Sequence, residues 1–233
     1  MGNAAKYQEN IISSVNQNEK DEFIYRAQGS KIRVLFVGNS ITLHGKLPEA
    51  GWNQDCGMAA SCLEKDYVHL VVSKIKEKYD ENVTFGILQV ANYERRFLEV
   101  TPQQLYGEKL PEHLMADIVI MFFGANTNKE YYTMENPPKT FAEAYEDLRN
   151  YLDLGTNTFY HSMGFYIREG LDEAKKAIAD KHGEVFIDIE DIRQRDDTHG
   201  RFNHPGDIGM AAIADRFFET IEPKVKEICE KRK

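Results

Sequence analysis

The sequence predicts a three-layer α/β fold, in which a doubly wound, parallel five-stranded sheet carries helices on both faces. Three observations support this. Five apolar runs of strand length recur along the chain without strict alternation, as expected of strands buried on both faces. Amphipathic stretches of helical length separate them, so consecutive strands are joined by crossovers rather than tight turns. No internal repeat, low-complexity tract or Pro/Gly-rich linker divides the chain. Its 233 residues therefore read as one domain over 31–233, preceded by a polar N-terminal extension over 1–30.

The extension has only weak helical spacing, at Ile11, Ile12 and Val15. The strands follow as IRVLFV (32–37), VTFGILQV (83–90), DIVIMFF (117–123), TFYHSMGFYI (158–167) and EVFIDI (184–189). In DYVHLVVSKIKEKY, Tyr67, Val71, Ile75 and Tyr79 recur every four residues with charges on the other face, which predicts an amphipathic helix. TFAEAYEDLRNYLDL (140–154) and LDEAKKAIADKH (171–182) have the same form, and a further helix is expected around Pro102–Met115. The last helix is DIGMAAIADRFFETIE (207–222), with Asp207 as its N-cap and Pro223 ending or kinking it.

Composition narrows the function classes. An apolar share of 42% and a charged share of 29% are ordinary globular values, so a core can form without disulfide or metal support. A net charge of −9 argues against the broad basic surface needed to bind nucleic acid or an anionic membrane. The three cysteines, Cys56, Cys62 and Cys229, are an odd number in a chain too long to depend on them. They read as reduced thiols and, with no leader-like or membrane-spanning apolar run, point to a cytoplasmic location. Met1-Gly2 is not followed by the Ser or Thr of a myristoylation signal, because position 6 is Lys6.

In a doubly wound sheet, ligands bind at the carboxyl ends of the strands. Three segments fall there: Gly38-Asn39-Ser40 after the first strand, Gly124-Ala125-Asn126 after the third, and His204-Pro205-Gly206-Asp207 before the last helix. A serine hydroxyl is a poor nucleophile until a base removes its proton, and histidine is the usual base near neutrality. A tetrahedral oxyanion needs fixed donors, which a backbone N–H at a tight turn and an asparagine amide can supply. Gly38 would permit the turn and Gly124 a close backbone approach beside Asn126.

In order and placement, VLFVGNSIT, FFGANTN and FNHPGDIGM resemble the SGNH or GDSL-type hydrolases, a flavodoxin-like family of esterases, lipases, thioesterases and carbohydrate deacetylases. The resemblance runs from Lys31 to Ile228. It implies that Ser40 is the nucleophile and an oxyanion donor, Asn126 a second donor and His204 the base. The implied reaction is hydrolysis of a small-molecule or carbohydrate ester, with no cofactor or metal required. Asn39 stands where many members carry Asp.

Two departures bear on the site. Where the family's second motif supplies a glycine donor, the chain reads VANYERRF, so backbone N–H groups near Asn92 or Tyr93 are the candidate substitutes. The triad acid is expected three residues before the histidine, but that position is Arg201. Asp196 or Asp197 could take the role, or a backbone carbonyl could orient His204 in a Ser-His dyad; Asp197 is the candidate carried forward.

Blander and rival readings stand beside these. Asp196, Asp197, His199, His204 and Asp207 could instead bind a divalent metal for a metal-dependent hydrolase. The missing glycine and acid also fit a non-catalytic carbohydrate-binding relative. The long segment 44–62 is expected to border the site. Its Trp52 could stack on a sugar, although a loop anchor is the favoured reading. Asn39, Asn92, Tyr93 and Trp52 are the candidate substrate contacts, and Glu94-Arg95-Arg96 reads more readily as solvated charge than as substrate contact.

Overall fold

The structure, a computed structural model, describes residues 22–25, 30–108, 110, 111 and 115–232. Six strands form one sheet: β1 (Glu22–Tyr25), β2 (Arg33–Gly38), β3 (Thr84–Gln89), β4 (Ile118–Phe122), β5 (Thr158–Ser162) and β6 (Val185–Ile187). Their spatial order is β1-β3-β2-β4-β5-β6. The strands from β2 to β6 pair in parallel, as the apolar runs predicted. β1 is an addition from within the segment read as an extension, and it pairs antiparallel along the outer edge of β3. A four-residue edge strand is too short for a periodic signal to reveal. Ile11, Ile12 and Val15 lie outside the described residues.

The helices are α1 (Tyr67–Lys78), α2 (Ala91–Arg96), α3 (Pro102–Tyr106), α4 (Lys129–Thr133), α5 (Phe141–Leu152), α6 (Leu171–His182), α7 (Glu190–Arg193) and α8 (Asp207–Lys231). Alternation along the strands sends side chains into two separate cores. Val34, Phe36, Phe85, Ile87, Ile118 and Ile120 face α1 and α8. Leu35, Val37, Leu88, Val119, Met121 and Phe159 face α5 and α6. Each such side chain, fully buried, is worth about 1.5–3 kcal/mol, so a one-residue slip of a strand would misplace several of these at once. The first core centres on Tyr67, whose ring meets Phe36, Phe122 and Phe217 edge-on.

Three boundaries differ from the sequence reading. The strand expected over 158–167 ends at Ser162; Met163 N–H makes the last ladder contact with Ile187, and the Gly164 N–H turns to the Asp172 carboxylate at 2.8 Å. α3 stops at Tyr106, before Gly107 at φ 82°. α8 runs through Pro223 to Lys231, starting from Gly206 as N-cap with Asp207 as its first helical residue. Pro223 is tolerated because it and Glu219 are exposed, so water can satisfy the carbonyl that the missing N–H releases. On the other side Phe217, Ile221, Val225 and Ile228 hold the helix to the sheet.

Candidate active site

The turn that carries Ser40 is built by what leaves β2. A Cβ on Gly38 would lie 1.7 Å from Thr42 Oγ1 and 3.1 Å from the Phe122 carbonyl, so only glycine allows the chain to fold back here. The Asn39 carbonyl then accepts the Thr42 and Leu43 N–H groups, both at 2.9 Å, closing a tight turn around Ser40. Thr42 Oγ1 meets the buried Tyr67 hydroxyl at 2.8 Å, which ties the turn to the first core. Among the described residues nothing accepts from the Ser40 N–H.

His204 approaches from the loop before α8. Its Nε2 lies 2.7 Å from Ser40 Oγ, and its Nδ1 lies 2.8 Å from the Phe202 carbonyl. A carbonyl only accepts, so Nδ1 carries the proton and Nε2 is the bare, accepting nitrogen. Phe202 and Asn203, the two residues before His204, both adopt left-handed backbone, at φ 58° and 57°. Two consecutive non-glycine residues in this region store backbone strain of the kind found at functional sites. Burial pushes the His204 pKa below its ordinary value, and the neighbouring His44 lowers it further against the opposing effect of the Phe202 carbonyl. The ring of Tyr166 packs edge-on against His204 at 5.6 Å between centroids.

Asn126 reaches the same strand edge from the turn after β4. Glu94, 1% exposed in α2, gathers the donors of this region. It accepts from Asn126 Nδ2 at 2.8 Å, the Asn126 N–H at 3.3 Å, Asn39 Nδ2 at 3.2 Å, and the Gly124 N–H. Four donors and no acceptor face this carboxylate, which favours its ionised form, while burial, the larger effect, pushes its pKa up. Arg95 Nη2 donates to Asn126 Oδ1 at 3.2 Å. The Asn126 amide is thereby held on both sides, with its second N–H left for another acceptor. Gly124 lies at φ 128°, and a Cβ there would meet the buried Lys175 at 3.1 Å from Cε. Lys175 in turn pairs with Asp172 at 3.0 Å.

Ser40, His204 and Asn126 thus share one rim. The other candidates are placed differently. Asp197 binds Arg195 at 2.8 Å on the surface, so it does not orient His204; the Phe202 carbonyl occupies that place. Asn39 is 2% exposed, and its side chain braces the turn through Ile41 N–H and Glu94 rather than facing a ligand. Tyr93 sits in the second core with its hydroxyl on the Ala144 carbonyl at 2.9 Å. Trp52 is 3% exposed and donates to the His44 carbonyl at 3.3 Å, which makes it the anchor of segment 44–62. Asn92 is half-buried in the opening turn of α2.

The 196–207 cluster does not gather into one ligand set. His199 Nε2 donates to the Arg193 carbonyl at 3.0 Å, and Asp207 accepts from Ser61 at 2.7 and 2.8 Å. Among the described residues no three His, Cys, Asp or Glu side chains come together as a metal site. Cys56, Cys62 and Cys229 are free thiols. No described helix is long and apolar enough to cross a membrane.

Glu94 is the residue that sequence reasoning missed, having assigned it to solvated charge. The available signal was its spacing: Val90, Tyr93 and Phe97 flank it at helical intervals, which puts Glu94 on the buried face. The Phe202 carbonyl had no side-chain signal at all.

No family model matches the chain, and no curated protein matches it. Solved structures do. A family two carbohydrate esterase from Clostridium thermocellum, in complex with cellohexaose, superposes with a TM-score of 0.57 at 13% identity, over 87% of this chain and 67% of that one. Est24, a carbohydrate acetylesterase from Sinorhizobium meliloti, gives 0.53 at 14%, over 83% and 99%. The M. smegmatis aryl esterase gives 0.54 at 18%, over 82% and 99%. The chain therefore has the flavodoxin-like α/β fold of these esterases, as the order of its motifs implied.

Proposed function

We propose that the protein is a serine esterase of the SGNH/GDSL type, cleaving a short-chain ester through an acyl-enzyme on Ser40, with an O-acetylated carbohydrate as its substrate class. The observation that carries this reading is the 2.7 Å contact between Ser40 Oγ and an unprotonated His204 Nε2. The shared fold of a carbohydrate esterase and a carbohydrate acetylesterase supports the substrate class.

Ser40 Oγ attacks the carbonyl carbon as its proton passes to His204 Nε2, and the carbonyl π electrons move onto oxygen. The Ser40 N–H and the free Asn126 amide N–H stabilise that oxyanion. Collapse breaks the bond to the alcohol, which leaves with the proton from His204. Water then attacks the acyl-serine with His204 again as base, releasing the acid and regenerating Ser40. The Phe202 carbonyl holds the tautomer throughout, in the role an aspartate plays in a triad, and stabilises the imidazolium less than a carboxylate would. Glu94 acts through Asn126 rather than on the substrate, and as an acceptor it does not supply the donor that the second-motif glycine gives.

Hydrolysis of p-nitrophenyl acetate tests the reading. Ser40→Ala and His204→Ala are expected to abolish burst and turnover, and a serine-directed phosphonate is expected to label Ser40. Undiminished turnover by Ser40→Ala would refute the mechanism.

A further inference from the structure

The arginines of this acidic chain are distributed unevenly around the site. Arg96, Arg149, Arg193, Arg195, Arg216 and Arg232 each hold a carboxylate. Among the described residues Arg33, Arg95, Arg168 and Arg201 hold none. Arg33 opens β2, at the end of the sheet opposite Ser40. The other three lie within two contacts of the rim that Ser40, His204 and Asn126 share. Arg95 touches Asn126. The Arg168 guanidinium lies 5.9 Å from the ring centroid of Tyr166, which itself packs on His204. The Arg201 guanidinium lies 4.9 Å from the ring of Phe202, whose carbonyl holds His204, and Arg201 Nη1 also donates to the Gly51 carbonyl at 3.3 Å.

In a chain of net charge −9 carboxylates are plentiful, yet none among the described residues pairs with these three side chains. The nearby acids leave them free. Glu94 is saturated by its own donors beneath Asn126, and the exposed Glu49 and Glu169 form no ion pair with any of the three. Arg201 also stands where the family resemblance calls for the triad acid, so the sign of charge at that position is reversed. Guanidinium forks match carboxylate geometry, and stacking on aromatic rings holds them in place without neutralising them.

We infer that the cleft selects a carboxylate-bearing ester, such as an acylated acidic sugar, with Arg95, Arg168 and Arg201 as its charge-recognising residues. This rests on the ester-hydrolase reading above. The carboxylate approaches the rim on whichever side of the scissile bond the charge lies, and the carbonyl carbon stays over Ser40.

Two substrate pairs separate the possibilities: p-nitrophenyl acetate against mono-p-nitrophenyl succinate for charge on the acyl side, and O-acetylated glucose against O-acetylated glucuronic acid for charge on the alcohol side. The charged member of at least one pair is expected to show a kcat/KM roughly tenfold or more above its neutral partner at low salt, from about one charge-assisted contact. That ratio should fall toward unity in Arg168→Gln and Arg201→Gln and as salt rises, and should persist in Arg216→Gln, a control remote from the cleft. Hydrolysis of both pairs without preference for the charged member would overturn this inference and leave the ester-hydrolase reading standing. A preference that persists in both rim variants would overturn the residue assignment. No hydrolysis of any ester by the wild-type chain would overturn both readings together.

Discussion

Replacing Glu94 with Gln keeps the size of the side chain and removes only its charge and half of its acceptor capacity. The carboxylate faces Asn126 Nδ2, the Asn126 N–H, Asn39 Nδ2 and the Gly124 N–H. A glutamine oxygen can keep the donors now on Oε1, but its amide nitrogen then points a donor at Asn126 Nδ2. The loss is at least one hydrogen bond to a charged acceptor, about 1.5–3 kcal/mol, with an N–H group left facing an N–H group in a buried place. Lys175 would lose a nearby compensating charge and add to the penalty. Stability should therefore drop by about 3 kcal/mol, read as a lower urea midpoint at unchanged m.

The catalytic effect of Glu94→Gln should be separable from that loss. Freed from Glu94, the Asn126 amide no longer presents its remaining N–H at a fixed angle. Loss of one oxyanion donor costs roughly 10²–10³ in kcat, so a drop of about 10²-fold in kcat with little change in KM is expected for p-nitrophenyl acetate. Asn126→Ala serves as the companion variant, giving a similar kcat loss with a smaller stability loss, because it removes the donor and leaves Glu94 its other partners. A Glu94→Gln enzyme with wild-type kcat and an unchanged urea midpoint would refute the argument.

Three further outcomes follow from the same geometry. Because the folded-state pKa of His204 is lowered, the acid limb of kcat/KM should lie below the ordinary histidine value of 6.5. The unfolded chain takes up that proton first as pH falls, so the stability His204 contributes is complete above pH 6.5 and is lost as pH drops through its folded value; an acid limb at or above 6.5 would contradict this. Asp197→Asn should leave p-nitrophenyl acetate turnover within about twofold, since its carboxylate serves Arg195 on the surface, whereas a triad acid would cost far more. Trp52→Ala should destabilise the chain by about 3–5 kcal/mol in denaturant titration by opening a cavity under segment 44–62, and a change below 1 kcal/mol would show that the anchor carries no packing.

The strands from β2 to β6 and the helices between them were legible because burial on both faces of a parallel sheet writes itself into composition: each run is short, apolar and followed by a helical period. Ser40 and Asn126 were legible for a related reason, since their strand-end turns demand glycine and bring a polar side chain to the rim, and His204 was legible from its place just before the last helix. β1 was not legible, because four residues at an edge carry too little periodicity. Of the two outcomes local propensity offers at Pro223, an end or a kink, the helix does not end there, because the exposed face of α8 and its long apolar stripe allow it to continue.

What the sequence determined by itself is therefore the fold class and the three segments, carrying Ser40, Asn126 and His204, that the fold brings to one rim. What only the tertiary structure decided is how they are held. The partner of His204 is a backbone carbonyl, and every residue has one, so no residue type could mark it. Glu94 looked like surface charge until packing closed Val90, Tyr93 and Phe97 around it and brought Asn39, Gly124 and Asn126 from three separate turns onto one carboxylate. Contacts between residues 30 and more positions apart depend on how the strands are ordered in the sheet, and that order is a property of the packed chain.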